Sequence, residues 1–183
     1  MTGIDKPTIE ADIRRWLERA VIGMNLCPFA KSVYVRNQVR IVVSDAANTE
    51  DLRGELGEEM LHLRDTPPEF TDTTLLVLPA VLGDFLDYND FLDDADALLE
   101  ALELDGVLQV ASFHPHYQFA GTEYDDAGNN TNRAPWPILH LLREDSLDRA
   151  VAAYPAPDAI IERNIAAMEA LGNDGYLKLL ADD

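Results

Sequence analysis

The stretch Thr73-Thr74-Leu75-Leu76-Val77-Leu78 decides the fold, because it carries no charge and ends at Pro79. Aliphatic and β-branched side chains in so short a run predict a strand that is buried on both faces. Buried strands of this kind occur in sheets that helices cover. The segment therefore predicts one strand of a small, helix-covered sheet.

Two more strands and three helices alternate around this stretch. Strands are predicted at 39–43 and 107–113, where apolar and β-branched residues follow one another. Helices are predicted at 8–24, 50–64 and 85–104, where apolar residues recur at three- and four-residue spacing. This order predicts an α/β (or α+β) fold with a small mixed or parallel sheet of three to four strands covered by helices.

The last third of the chain is predicted to be mostly helical, after a long irregular loop at 114–134. Residues 135–143 are ambiguous. Pro135 and Pro137 favour the start of a helix. A fourth strand within 138–143 would instead give a ferredoxin-like or similar two-layer arrangement.

Length and composition set the class of protein. The chain has 183 residues, of which 47% are apolar, so we expect a single globular domain over residues 1–183. The first residues are polar, and no apolar run is long enough to span a bilayer, so a cytoplasmic protein is expected. A single cysteine, Cys27, excludes an internal disulfide.

The charge balance is strongly acidic, with 14 basic against 34 acidic residues and a net charge of −20. Nucleic acids and anionic membranes are bound through positive surfaces, so neither is expected as a partner. Two interpretations of the acidity stay open. It is either a docking face for a basic partner or a surface suited to solubility in a salt-tolerant organism. The oligomeric state is not predicted.

A candidate metal site follows the third predicted strand. Pro115 keeps His114 extended, so His114 and His116 are expected to share a face at the carboxyl end of that strand. Two imidazoles with a third donor suit a catalytic zinc, iron or manganese ion. The alternative is that both histidines brace the loop through backbone carbonyls. The loop offers three carboxylates: Glu123, Asp125 and Asp126.

Further candidates follow the loop. If 132–143 is helical, Trp136, His140 and Arg143 share one face. Arg133 is the first cation after 68 residues without one. It would either clamp a carboxylate or phosphate or form an ion pair with a loop acid. His140 is either a ligand or a histidine bonded to backbone at the edge of the core.

Cys27 is the candidate nucleophile. Pro28 follows it and could open a helical turn, and Lys31 lies one turn further on. A helix N-terminus and a nearby ammonium both favour a thiolate. The alternative is a buried cysteine that packs as a small apolar residue.

These segments resemble an uncharacterised bacterial group, domain-of-unknown-function family 1415. The resemblance implies a stand-alone cytosolic bacterial protein and no particular activity. The family tends to have Ser-Pro-Tyr-Pro where this chain has Ala-Pro-Trp-Pro at 134–137, so no catalytic serine is expected there. The matching strings are VIGMNLCPFAK (21–31), SFHPHYQFAG (112–121), NTNRAPWPILHLLRE (130–144) and ERNI (162–165).

Three functional hypotheses follow from the candidate residues. The first is a metal-assisted, hydrolase-like enzyme acting on a small anionic substrate, in which His114 and His116 hold the metal and Arg133 orients the substrate. The second is a thiol enzyme with Cys27 as nucleophile and a histidine as base. The third is a non-catalytic module that binds a small ligand or a protein, in which the histidines are structural. The first two require at least three of the candidate side chains to converge.

Overall fold

A four-stranded mixed sheet forms the centre of the fold in the computed structural model, which describes Gly3 and residues 5–181. The strands lie in the order β1-β2-β4-β3. β1 and β2 are parallel, and β4 is antiparallel to both of its neighbours. The α/β class and the mixed sheet are therefore confirmed. The strands are β1 (Val39–Val43), β2 (Thr73–Val77), β3 (Leu108–Phe113) and β4 (Ile138–Arg143).

Helices precede, connect and follow these strands, and the mostly helical C-terminal third is confirmed. α1 continues into a π-helical segment at Leu17–Ile22, and α6 is kinked at Gly172, whose φ is 74°. None of the helices in the described part of the chain combines the length and the apolar character needed to cross a membrane. The α-helices are α1 (Lys6–Trp16), α2 (Ala30–Val35), α3 (Thr49–Asp65), α4 (Phe85–Ala101), α5 (Glu144–Ala153) and α6 (Ile160–Leu180).

One face of the sheet, here called the closed face, packs against α3 and α4. Both helices begin at a capping side chain: Asn48 accepts a hydrogen bond from the Asp51 N–H at 2.9 Å, and Asp84 accepts one from the Leu86 N–H at 2.8 Å. Their apolar stripes are buried against the strands. The buried set on this face includes Leu52, Leu56, Met60, Leu63, Tyr88, Phe91, Ala95, Leu76, Leu139 and Leu141.

The opposite face, here called the open face, packs against α1, the π-helical segment and α6 over only part of its area. Helices thus cover both faces, and the predicted two-layer arrangement is wrong. α2 and α5 complete the cover, yet neither contains a buried residue. The packed part of this face includes Ile13, Trp16, Val77, Ile138 and Met168.

The segment 138–143 is a central strand and not a helix. It pairs with β2 on one side and β3 on the other, so its backbone hydrogen bonds are satisfied in the sheet. Pro137 lies just before it, where its carbonyl accepts a hydrogen bond from the Leu78 N–H at 2.9 Å. Side chains alternate between the two faces along a strand. The predicted helical face of Trp136, His140 and Arg143 is therefore wrong.

Candidate functional site

The open face contains a cavity of about 890 Å³ between the sheet, the π-helical segment, α2 and α5. The cavity forms because the two short helices span the sheet without filling the space above it. Its walls include Trp16, Val21, Cys27, Tyr34, Leu147 and Ala150. Its floor is the open face of the sheet, formed by Thr73, Leu75, Ala111, Phe113, His140 and Leu142.

His140 and Thr73 form a hydrogen-bonded pair on this floor. The Thr73 hydroxyl donates to the Leu141 carbonyl oxygen at 2.6 Å, and His140 Nε2 lies 2.7 Å from the same hydroxyl oxygen. A hydroxyl has one proton to donate. Because Leu141 receives that proton, Nε2 carries the hydrogen in its contact with Thr73. The neutral imidazole is thereby fixed with Nδ1 as its acceptor.

The surroundings of His140 keep its ring uncharged. Burial disfavours the charged imidazolium and lowers the pKa of His140 from 6.5 to about 4. The Phe113 ring lies with its centroid 6.0 Å from that of His140. The floor of the cavity therefore presents a neutral polar group among aromatic and aliphatic side chains.

Partly buried polar contacts anchor one edge of the cavity. Arg143 donates to the carbonyl oxygens of Leu63, at 2.6 Å, and Thr71, at 2.8 Å, and also to that of Thr66. Burial lowers the pKa of Arg143, and Asp72 opposes this shift. The Ser146 hydroxyl donates to Asp72 at 2.6 Å, which ties the start of α5 to the same edge.

Cys27 lies in the wall of this cavity, but its thiol is not activated. α2 begins only at Ala30. Burial raises the pKa of Cys27, and the backbone N–H groups of Phe29 and Ala30 offset that shift only in part. The predicted thiolate-favouring environment is therefore wrong, because desolvation outweighs the helix N-terminus.

His114 is fully buried and braces two loops. Its Nδ1 accepts a hydrogen bond from the His116 backbone N–H at 3.0 Å, so Nε2 carries the proton that it donates to the Leu82 carbonyl at 3.0 Å. Burial lowers its pKa and keeps it neutral. Tyr88 packs against the ring at 5.0 Å between centroids. Both nitrogens are thus engaged within the protein, as in the alternative in which the histidines brace the loop.

His116 and the loop acids do not form a metal cluster with His114. His116 is exposed, and its Nδ1 lies 2.7 Å from the Tyr124 hydroxyl. The carboxylates of Glu123, Asp125 and Asp126 belong to exposed residues. Within Gly3 and residues 5–181, no group of three His, Cys, Asp or Glu side chains is placed to hold a metal ion.

Arg133 closes the 114–134 loop upon itself. Its guanidinium donates to the carbonyl oxygens of Tyr117, at 3.0 Å, and Tyr124, at 2.6 Å, and lies 4.6 Å from the centroid of the Tyr124 ring. Neither predicted alternative, an anion clamp or an ion pair with a loop acid, describes these contacts. Buried Asn129 adds a hydrogen bond from its Nδ2 to the Glu123 carbonyl at 2.8 Å.

The cavity combines two predicted candidates, His140 and Cys27, with residues that sequence reasoning missed. Thr73, Ala111 and Ala150 were not singled out, although they lie on the floor and in the wall. One signal was present: if 138–143 is a strand, His140 is the polar residue on a face that it shares with Ile138 and Leu142.

Comparisons with known proteins place the chain in a family. No match to the chain was found among curated proteins or among solved structures. A protein-family model described as "Protein of unknown function (DUF1415)" matches residues 8–178, which run from within α1 to within α6 and include the whole cavity floor. The resemblance seen in the sequence is therefore confirmed, and the chain belongs to the DUF1415 family.

Proposed function

We propose that this protein binds a small, largely apolar molecule in the cavity of its open face. The observation that carries the proposal is the cavity itself, whose volume of about 890 Å³ falls within the usual range for small-molecule sites. Such sites combine mostly apolar walls with a few polar groups that orient the ligand. Here the polar pair is His140 with Thr73, and the apolar walls come from helices and strands.

The two short helices at the cavity offer a route of entry. α2 and α5 contribute no buried residue, in contrast to α3 and α4 on the closed face. Segments with few buried apolar contacts open at a low free-energy cost. Small movements of α5 or α2 would therefore widen the cavity for a ligand without disturbing the sheet.

Two arginines around the cavity favour a ligand with an acidic group. Arg36, after α2, and Arg149, on α5, both line the cavity and are exposed. Their guanidinium groups bond only to Ser32 and Ser146 among the described residues, with no carboxylate partner. The carboxylates of Glu69 and Asp72 line the same cavity and balance the charges of these two arginines. Arg143 adds a third positive charge, so the cations around the cavity exceed the anions. The prediction of a small anionic ligand thus continues as part of this proposal.

The enzyme hypotheses find less support. The metal-assisted hydrolase stays a prediction, but His114 uses both ring nitrogens within the protein, and the described residues offer no set of three donors. A thiol enzyme would need a thiolate beside a basic histidine. Burial disfavours both, since it raises the pKa of Cys27 and lowers that of His140.

The test uses 2-fluoronaphthalene, a neutral apolar probe, followed by its ¹⁹F resonance. We expect saturable binding with a Kd below about 1 mM, because the probe exchanges water for apolar walls. Replacing Ala111 and Ala150 together by Phe fills the cavity from floor and wall and should weaken binding at least about tenfold. The matched control is Ala97→Phe on the exposed side of α4, which should leave binding unchanged.

Two results would count against the proposal. One is that the ¹⁹F resonance of the probe, used at a saturating concentration, does not change when the unmodified protein is present. The other is equal binding by the filled variant, which would put the probe elsewhere. Competition by 2-naphthoate, and its weakening in Arg149→Gln, tests the acidic group separately.

A further inference from the structure

Resting on the proposed function, we propose that the ligand carries a neutral hydroxyl or N–H group that donates a hydrogen bond to Nδ1 of His140. The site would therefore select donors such as phenols, alcohols and indole-type N–H groups over equally apolar molecules without a donor.

The neighbours of His140 determine its tautomer. The only proton of the Thr73 hydroxyl goes to Leu141, at 2.6 Å. Nε2 of His140, at 2.7 Å from the same oxygen, must therefore be the donor. A neutral imidazole has one protonated nitrogen, so Nδ1 bears a lone pair and no hydrogen.

Nδ1 of His140 has no hydrogen-bond partner in the part of the chain that the structure describes. Among the described residues, His140 forms no hydrogen bond other than the one to Thr73. Three buried side-chain atoms of the described residues have neither a hydrogen-bond partner nor accessible surface: Thr74 Oγ1, Thr131 Oγ1 and Arg143 Nε. Nδ1 of His140 is not among these atoms. Nδ1 therefore retains accessible surface. His140 lies on the cavity floor, so that surface opens into the cavity.

The lone pair on Nδ1 makes the site selective for ligands that donate a hydrogen bond. The low pKa of His140 keeps the ring neutral at pH 7, so the unpartnered nitrogen accepts and does not donate. A ligand without a donor removes water from Nδ1 and leaves this acceptor unpaired, which weakens binding. A ligand that donates a hydrogen bond to Nδ1 avoids this cost. Thr73 is the positioning residue, because its hydroxyl determines which nitrogen is the acceptor.

The experiment compares 2-naphthol with 2-fluoronaphthalene, in which fluorine replaces the hydroxyl at similar size. We expect 2-naphthol to bind the unmodified protein at least about fivefold more tightly, as one added hydrogen bond allows. The ¹⁵N resonance of His140 Nδ1 should shift with 2-naphthol and stay in place with 2-fluoronaphthalene.

Variants assign the preference to His140. His140→Phe keeps an aromatic ring and should abolish the preference for 2-naphthol while retaining 2-fluoronaphthalene. The matched control, His62→Phe on the exposed side of α3, should keep both affinities. Thr73→Val should reduce the preference, because the tautomer is no longer determined, and Thr73→Ser should restore it.

The outcomes separate this inference from the function on which it rests. If neither probe binds, both fail. If both bind the unmodified protein equally, or if Nδ1 does not respond to 2-naphthol, the cavity binds ligands but His140 does not select them. The two measurements on the unmodified protein decide the question even if His140→Phe fails to fold.

Discussion

The two faces of the sheet are built from the same strands but packed differently. On the closed face, α3 and α4 interdigitate with Leu76, Leu139 and Leu141, all at or near zero exposure. On the open face, α2 and α5 bury no residue, and the space beneath them holds a cavity of about 890 Å³. The apolar groups that line the cavity have fewer packing contacts with other protein atoms than those of the closed face, and so contribute less to the stability of the fold.

The polar residues on the two faces differ in the same way. On the closed face, the Tyr88 hydroxyl donates to the Ile138 carbonyl at 2.6 Å and accepts from the Phe113 N–H at 3.1 Å, so its bonding is internal. On the open face, His140 bonds to Thr73 through Nε2, and its Nδ1 has no hydrogen-bond partner within Gly3 and residues 5–181. The difference suggests that one face supplies stability and the other a binding site.

The largest difference between the faces should appear when alanine becomes phenylalanine on each. Ala95 on α4 has an exposure of 0% within the closed face, so Ala95→Phe should lower the free energy of unfolding by about 3 kcal/mol. Ala111→Phe projects into the cavity and should change it by less than about 1 kcal/mol. Urea denaturation of both variants checks this, and equal losses would mean that the open face is packed as tightly as the closed one.

A second prediction concerns His114, which links two loops through its ring nitrogens and does not line the cavity. His114→Ala leaves the Leu82 carbonyl and the His116 N–H without their partner, so it should destabilise by about 2–3 kcal/mol. Binding of 2-fluoronaphthalene should be unchanged. Elemental analysis of the unmodified and variant proteins is the matching measurement. A stoichiometric metal lost in the variant would instead support the predicted metalloenzyme.

A third prediction uses the pKa of His140, which is about 4 in the folded protein against an ordinary value of 6.5. Between these values the unfolded chain binds more protons, so stability falls as pH falls. The contribution of neutral His140 to the free energy of unfolding is complete above about pH 6.5. About 2 kcal/mol of this contribution should be lost between pH 7 and pH 5.

The control for this pH effect is the variant His140→Gln. It has the same carboxylates as the unmodified protein, so their titration affects both proteins equally. The difference in free energy of unfolding between the unmodified protein and His140→Gln should narrow by about 2 kcal/mol as pH falls from 7 to 5. A constant difference over this range would mean that the floor of the cavity is well solvated.

Local pattern was enough to predict most of the strands and helices. The strand at 39–43 was predicted with the observed bounds, and those at 73–78 and 107–113 to within a residue, since apolar runs and their flanking breakers lie within a few residues of each other. The sequence leaves β4 ambiguous, because Pro135 and Pro137 are compatible with a helix start. Only pairing with β2 and β3, which are distant in sequence, decided the outcome.

The site was predicted less well because it depends on distant segments. His114 and His116 are two residues apart and suggested a metal pair, but the partner of His114 is Leu82, 32 residues away. The cavity arises from space left between α2, α5 and the sheet, and no local pattern encodes such a space. The sequence marks His140 only as a histidine, and its tautomer follows from Thr73, 67 residues away.

Mapping of amide shifts with 2-fluoronaphthalene tests the central claim most directly, namely that the open face is the ligand-binding face. In a ¹H–¹⁵N spectrum, the probe should shift the amides of Leu75, Ala111, Leu142 and Ala150, which line the cavity. The amides of the closed-face helices α3 and α4 and of the 114–134 loop should stay in place. Shifts confined to the loop or to α3 and α4, or no shifts at all, would contradict the account.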